Sequence, residues 1–298
     1  MDEPAPPPTL AAAPPAAKPP LWPYLLAPFI AFAASAFAGG IAVTVVATFS
    51  DPGLWKDDAE KNLGRWYEEN QTGFPVIAAL LLTAQVTILA TTLIFAMLAR
   101  DPSVRRLGFV RWKGSGWTVA WAVLGTLGVQ FLIDLVAEPL IDEPSDSLKL
   151  LARMFLEPQG LAAVGVGFLM SVLPGVCEEA LYRGYMQRGL LRRWSPVAAI
   201  GLTSLFFAAM HMDVQHSLGV LPLGAWLGFV AWRTGSVWPA VLCHFANNLA
   251  AFVFLRLQGD LEILETPDEP AFYVVGAVLV ACGLMSAFRL MRTKPDES

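Results

Sequence analysis

The stretch Phe74–Ala99, FPVIAALLLTAQVTILATTLIFAMLA, contains no charged side chain. As an α-helix it would reach about 39 Å, more than the roughly 30 Å hydrocarbon layer of a bilayer. Its proline stands at the second position, where a helix accepts one. Barrel strands would alternate polar with apolar residues, and this stretch does not. It reads as a membrane-crossing helix. Seven further candidate spans lie at 22–49, 117–137, 158–183, 196–212, 217–232, 237–255 and 271–288. The expected fold is therefore all-α, a polytopic transmembrane bundle of about eight spans, with membrane lipid as its surroundings.

Composition agrees. The 298 residues are 55% hydrophobic and only 15% charged, with a mean hydropathy of +0.54, whereas soluble domains carry about 25% charged residues. That excludes an ordinary soluble globule and general disorder. Three cysteines exclude a disulfide scaffold. A net charge of −5 gives nucleic acid no basic footprint, so none is expected as a partner.

Residues 1–21 hold eight prolines and read as a disordered Pro/Ala-rich cytoplasmic tail. Ala36-Phe37-Ala38 imitates a signal-cleavage site, but the apolar run around it is longer than a signal core of about 7–15 residues. Segment 22–99 is expected to supply accessory helices, and 100–255 a functional core. Segment 256–298 would give an outer loop, a last span and a short cytoplasmic tail. With the N-terminus inside, inner segments hold 13 Lys and Arg residues, among them Arg105, Arg106, Arg188, Arg192 and Arg193, against 6 outside. The positive-inside rule then places both termini of this cell-membrane protein in the cytoplasm. No internal repeat with paired broken helices is visible, which disfavours a secondary transporter.

Ionisable side chains within spans mark function by default. Here they cluster. Glu179 and Arg183 are four apart and share a helix face, so the guanidinium can neutralise that carboxylate. Glu178 is turned by about 100° and shares its face with Tyr182, which leaves it as the plausible base. Phe207 and His211 form a second i, i+4 pair, and His244 and Asn248 a third. If Ser195-Pro196 is a hairpin turn, Glu178 and His211 lie at one height, about 24–26 Å from it. The 212–216 link would then lie below the outer surface, buried in protein or lining a cavity.

Glu178-Glu179-x-x-x-Arg183, Phe207-x-x-x-His211 and His244-x-x-x-Asn248, in this order on three apolar helices, resemble the CPBP family of type II CAAX prenyl endopeptidases and bacteriocin-processing or immunity proteins. Arg105-Arg106-Leu107-Gly108-Phe109 is similar to the family's entry into the preceding span. The resemblance covers roughly residues 100–255 and implies an intramembrane endopeptidase of eight helices. It further implies that Glu178 and His211 activate water while His244 and Asn248 stabilise the oxyanion. Its substrate would be a membrane protein, a leader peptide or a prenylated peptide.

Peptide hydrolysis needs that division of labour on its own account: a base for water, an acid for the leaving amine, and donors for the developing oxyanion. Other readings stay open. The polar residues could be interhelical glue, the fold a non-catalytic immunity protein or scaffold, or the Glu and His residues a proton relay. Cys177 and Cys243 flank two motifs, but both read as buried apolar packing. The sequence lacks His-Glu-x-x-His. Even so, Glu178, His211 and His244 could together hold a divalent metal such as zinc with a position open for water. Metal-free glutamate catalysis would use the same residues. His216, five beyond His211, reads as a loop residue.

Overall fold

The computed structural model describes residues 20–99, 104–137, 139, 143–259 and 270–292. Most of the expected N-terminal tail and of the 259–270 loop lies outside these residues. The described residues contain helices and no strand.

Helix α1 (Trp22–Ser50) runs unbroken through Ala36–Ala38 and packs along α3 (Phe74–Met97). Between them lies the short polar helix α2 (Ala59–Asn70), capped by the Asp58 carboxylate. Next come α4 (Gly116–Ala137) and the amphipathic α5 (Asp146–Leu156), whose N-cap Ser145 accepts from Leu148 N–H at 3.2 Å. Helix α6 (Leu161–Glu179) continues without a break into a π-helical segment, Ala180–Gln187, and a last α-turn, α7 (Arg188–Leu191). Then follow α8 (Pro196–Ala209), α9 (Val214–Thr234), α10 (Trp238–Gln258) and α11 (Pro270–Arg292).

Seven of these helices are long and apolar enough to cross a membrane: α1, α3, α4, the continuous 161–191 helix, α9, α10 and α11. The protein is a multi-pass membrane protein. The remaining candidate, 196–212, forms a shorter apolar helix of 14 residues. At 1.5 Å per residue α8 reaches about 21 Å, short of the hydrocarbon thickness, yet the chain changes sides across it. The far end of α9 returns beside 108 and 188, with Val237 N–H donating to Gly108 O at 2.9 Å and Arg188 Nη1 to Gly235 O at 3.1 Å. The chain turns at Met212, whose φ is 55°. Asp213 then caps α9 by accepting from His216 N–H at 2.7 Å. Gln215 ties this turn to the segment before α5, accepting from Ser145 N–H at 2.7 Å and donating to Glu143 O at 2.9 Å. His216 therefore sits in the first turn of α9 and not in a loop. The 212–216 link, expected to be buried or to line a cavity, is half-exposed, with Met212 and Val214 largely open.

The centre of the bundle is α6 against α10. On one side α3 packs on α6, with α1 behind it; on the other, α4 packs on α10, with α11 behind it. Helix α9 bridges α4 and α10 and carries α8 on its other flank. Large apolar side chains such as Phe37, Val86, Phe168 and Leu284 point outward. That is the distribution a lipid solvent requires. It also leaves the polar residues of α6, α8 and α10 facing inward, toward one another.

Candidate active site

Proline shapes α6 at the site. Pro174 lacks an N–H, so Met170 C=O loses its helical donor four residues on. Asn248 Nδ2 on α10 replaces it, donating to Met170 O at 3.1 Å. One hydrogen of that amide is therefore committed to the backbone, and the other remains.

One turn further along, the helix widens. In the π-helical Ala180–Gln187 every side chain is buried. Such bulges persist where neighbours supply compensating contacts, and they favour functional sites. Here two side-chain donors bind carbonyls of α9: Arg183 Nη2 to Gly224 O at 2.9 Å and Gln187 Nε2 to Gly228 O at 2.8 Å. Both acceptors are glycines because the approach is close. A Cβ on Gly228 would lie 2.6 Å from Gln187 Oε1, and one on Gly224 3.1 Å from the Phe207 ring.

Glu179 is the buried hub. Its Oε1 accepts from Arg183 Nη1 at 2.8 Å, as the four-residue spacing predicts, and lies 2.9 Å from His244 Nδ1. Glu179 is 0% exposed, Arg183 1% and His244 4%. The contact with His244 is a pairing that helix spacing could not reveal, since it joins α6 to α10. With Nδ1–H donating to Glu179, the other ring nitrogen of His244 is directed away from the carboxylate. It accepts in the neutral ring and donates in the cationic one.

Phe207 is buried among these groups. Its ring meets Tyr182 edge-on at 5.1 Å, His211 at 5.3 Å and His244 at 5.8 Å, and the Arg183 guanidinium lies 4.4 Å from its centre. His211 Nδ1 is 2.9 Å from Phe207 O, which fixes the ring with Nε2 free of the backbone. The neighbouring His216 ring is 4.5 Å away.

Glu178 differs from Glu179 in every respect. It is half-buried, and its Oε1 accepts from Gln85 Nε2 of α3 at 2.8 Å. The structure thus joins Glu179, Arg183, Tyr182, Phe207, His211 and His244 in one contiguous cluster. Glu178 stands at its α3 edge, and Asn248 is tied to α6. Gln85 was not among the candidates, although it is the one amide in its otherwise apolar or hydroxyl-bearing span.

A metal held by Glu178, His211 and His244 does not match this arrangement. Among the described residues no three His, Cys, Asp or Glu side chains group as a metal site. Glu178 faces Gln85, and His244 faces Glu179. The three cysteines, Cys177, Cys243 and Cys282, are unpaired thiols and buried. On the loop side of Arg183 a cavity of about 880 Å³ opens, whose largely apolar lining, with Tyr24, Ala96 and Val237, also includes Arg105, Arg106, Arg183, Arg188 and Arg192.

Searches of curated proteins and of solved structures return no match. Residues 160–250, however, match the family model described as Type II CAAX prenyl endopeptidase Rce1-like. The matched segment begins at α6 and ends within α10, and it contains Glu178, Glu179, Arg183, His211, His244 and Asn248. That match, over about a third of this multi-pass chain, makes the segment similar to the type II CAAX prenyl endopeptidases and supports membership of the CPBP family of membrane proteases.

Proposed function

We propose that the chain is an intramembrane endopeptidase that hydrolyses a peptide bond of a membrane-associated substrate by glutamate-activated water. The observation that carries this reading is the unequal treatment of the two adjacent carboxylates. Glu179 is sealed in and paired through Oε1 with both Arg183 and His244, whereas Glu178 is half-buried and held by one neutral amide. A buried carboxylate paired to a guanidinium is a poor base; an accessible one beside it can take a proton from water.

In this reading Glu178 receives the proton of the attacking water. His211, anchored through Nδ1 to the Phe207 carbonyl, has Nε2 available to orient that water or to pass a proton to the leaving amine. His244, whose Nδ1 is held by Glu179, donates from Nε2 when its ring carries both protons, and the second hydrogen of the Asn248 amide offers a further donor to the oxyanion. Tyr182 and Phe207 hold these groups apart and exclude bulk water.

Among the described residues Glu178, His211 and His244 do not gather as a metal site, and the steps above use none. The family points to a prenylated peptide ending in a CAAX box as the first substrate to try. Its C-terminal carboxylate suits the arginine-lined cavity beyond Arg183. The assay follows cleavage of a farnesylated CAAX peptide by the purified protein in detergent. It compares wild type, wild type with chelator, and the Cys177→Ala/Cys243→Ala double variant. Equal hydrolysis by all three is expected. Absence of hydrolysis in wild type would refute the reading, and loss of activity in either other arm would refute its metal-free, cysteine-free chemistry.

A further inference from the structure

Gln85 lies midway along α3, well outside the family-matched segment. Its side chain is 5% exposed. Nε2 donates to Glu178 Oε1 at 2.8 Å, while Oε1 is buried without a hydrogen-bond partner. A buried amide with an orphaned acceptor is unfavourable, and a methionine of similar volume would pack there without that penalty. What Gln85 gains in return is a single charge-assisted bond, to Glu178. Its helix is also steadied at this level: Ser35 Oγ of α1 lies 3.2 Å from Ala84 O, the carbonyl adjoining Gln85.

We infer that Gln85 is a positioning residue of the hydrolytic site, holding the Glu178 carboxylate by one oxygen so that the other faces the water it deprotonates. The accessory pair α1 and α3 thereby becomes part of the catalytic apparatus and more than a membrane anchor. This inference rests on the proposed role of Glu178 as base.

The test compares kcat, KM and unfolding temperature for wild type, Gln85→Met and Gln85→Asn on the farnesylated CAAX peptide, with Glu178→Gln as reference. Gln85→Met keeps the volume and deletes the donor. It should lower kcat about 10–100-fold, because a base displaced by roughly 1 Å loses about that much. KM should stay within about twofold, and the protein should melt no lower than wild type. Gln85→Asn keeps the amide but is one methylene short, and should also lose kcat. If Gln85→Met fails to fold, Gln85→Asn carries the kinetic test. An infrared difference spectrum of wild type minus Glu178→Gln gives a second readout: the carboxylate stretch it isolates should shift in either Gln85 variant. Wild-type kcat and an unshifted band in a folded Gln85 variant would overturn the inference while leaving the endopeptidase reading intact. No Glu178-dependent hydrolysis by wild type would overturn both.

Discussion

Replacing Glu179 by glutamine should destabilise the protein, whereas the same change at Glu178 should not. Glu179 Oε1 serves two donors at once, Arg183 Nη1 at 2.8 Å and His244 Nδ1 at 2.9 Å, and its Oε2 is buried with no partner. In Glu179→Gln one oxygen can still accept, but the counter-charge to a guanidinium that is 1% exposed is gone. Breaking a buried pair from one side costs about 3–5 kcal/mol. At roughly 2–4 °C per kcal/mol, the melting temperature should fall by about 6–20 °C. Glu178→Gln keeps an acceptor for Gln85 on a half-buried side chain, and should cost less than about 1 kcal/mol. Both proteins would be melted in the same detergent, with tryptophan fluorescence as the probe. Equal melting temperatures, or a larger drop for Glu178→Gln, would refute the division of the pair into a structural and a reactive member.

Further outcomes can be stated. Asn248→Ala strands Met170 C=O and should cost about 1–3 kcal/mol. Adding Pro174→Ala, which restores the missing N–H, should recover that stability but not a rate lowered by about 10²–10³ through loss of an oxyanion donor. Recovery of rate together with stability would confine Asn248 to supporting α6. Reporter tags at 108 and 192 should be cytoplasmic and tags at 60, 148 and 264 outside, since α3 alone separates 60 from 108. Finding 60 and 108 on one side would end this arrangement of spans.

Much of this was legible in the sequence, for identifiable reasons. Runs of span length with no charge, or in α4 only Asp134, have few structural alternatives, so α1, α3, α4, α9, α10 and α11 follow from composition. The Glu179–Arg183 pair follows from helical spacing. What spacing could not supply were contacts between helices distant in sequence: His244 with Glu179, and Gln85 with Glu178. The 196–212 run looks like a span because Met210, His211 and Met212 do not interrupt its apolar character. The helix nevertheless ends early, and the next is started by the Asp213 cap. The π-helical segment was invisible for a related reason. Nothing local in Ala180–Gln187 demands it, and its support comes from carbonyls of α9. Helices α2 and α5 are too polar to be spans, so a search for span-length apolar runs does not reveal them.

The most direct test of the central claim is the hydrolysis of a farnesylated CAAX peptide in proteoliposomes, with the products identified by mass spectrometry. Wild type should release the C-terminal peptide, and Glu178→Gln should release none while remaining folded at the wild-type melting temperature. Cleavage by folded Glu178→Gln at the wild-type rate would show that the water is activated by another group and would contradict the account.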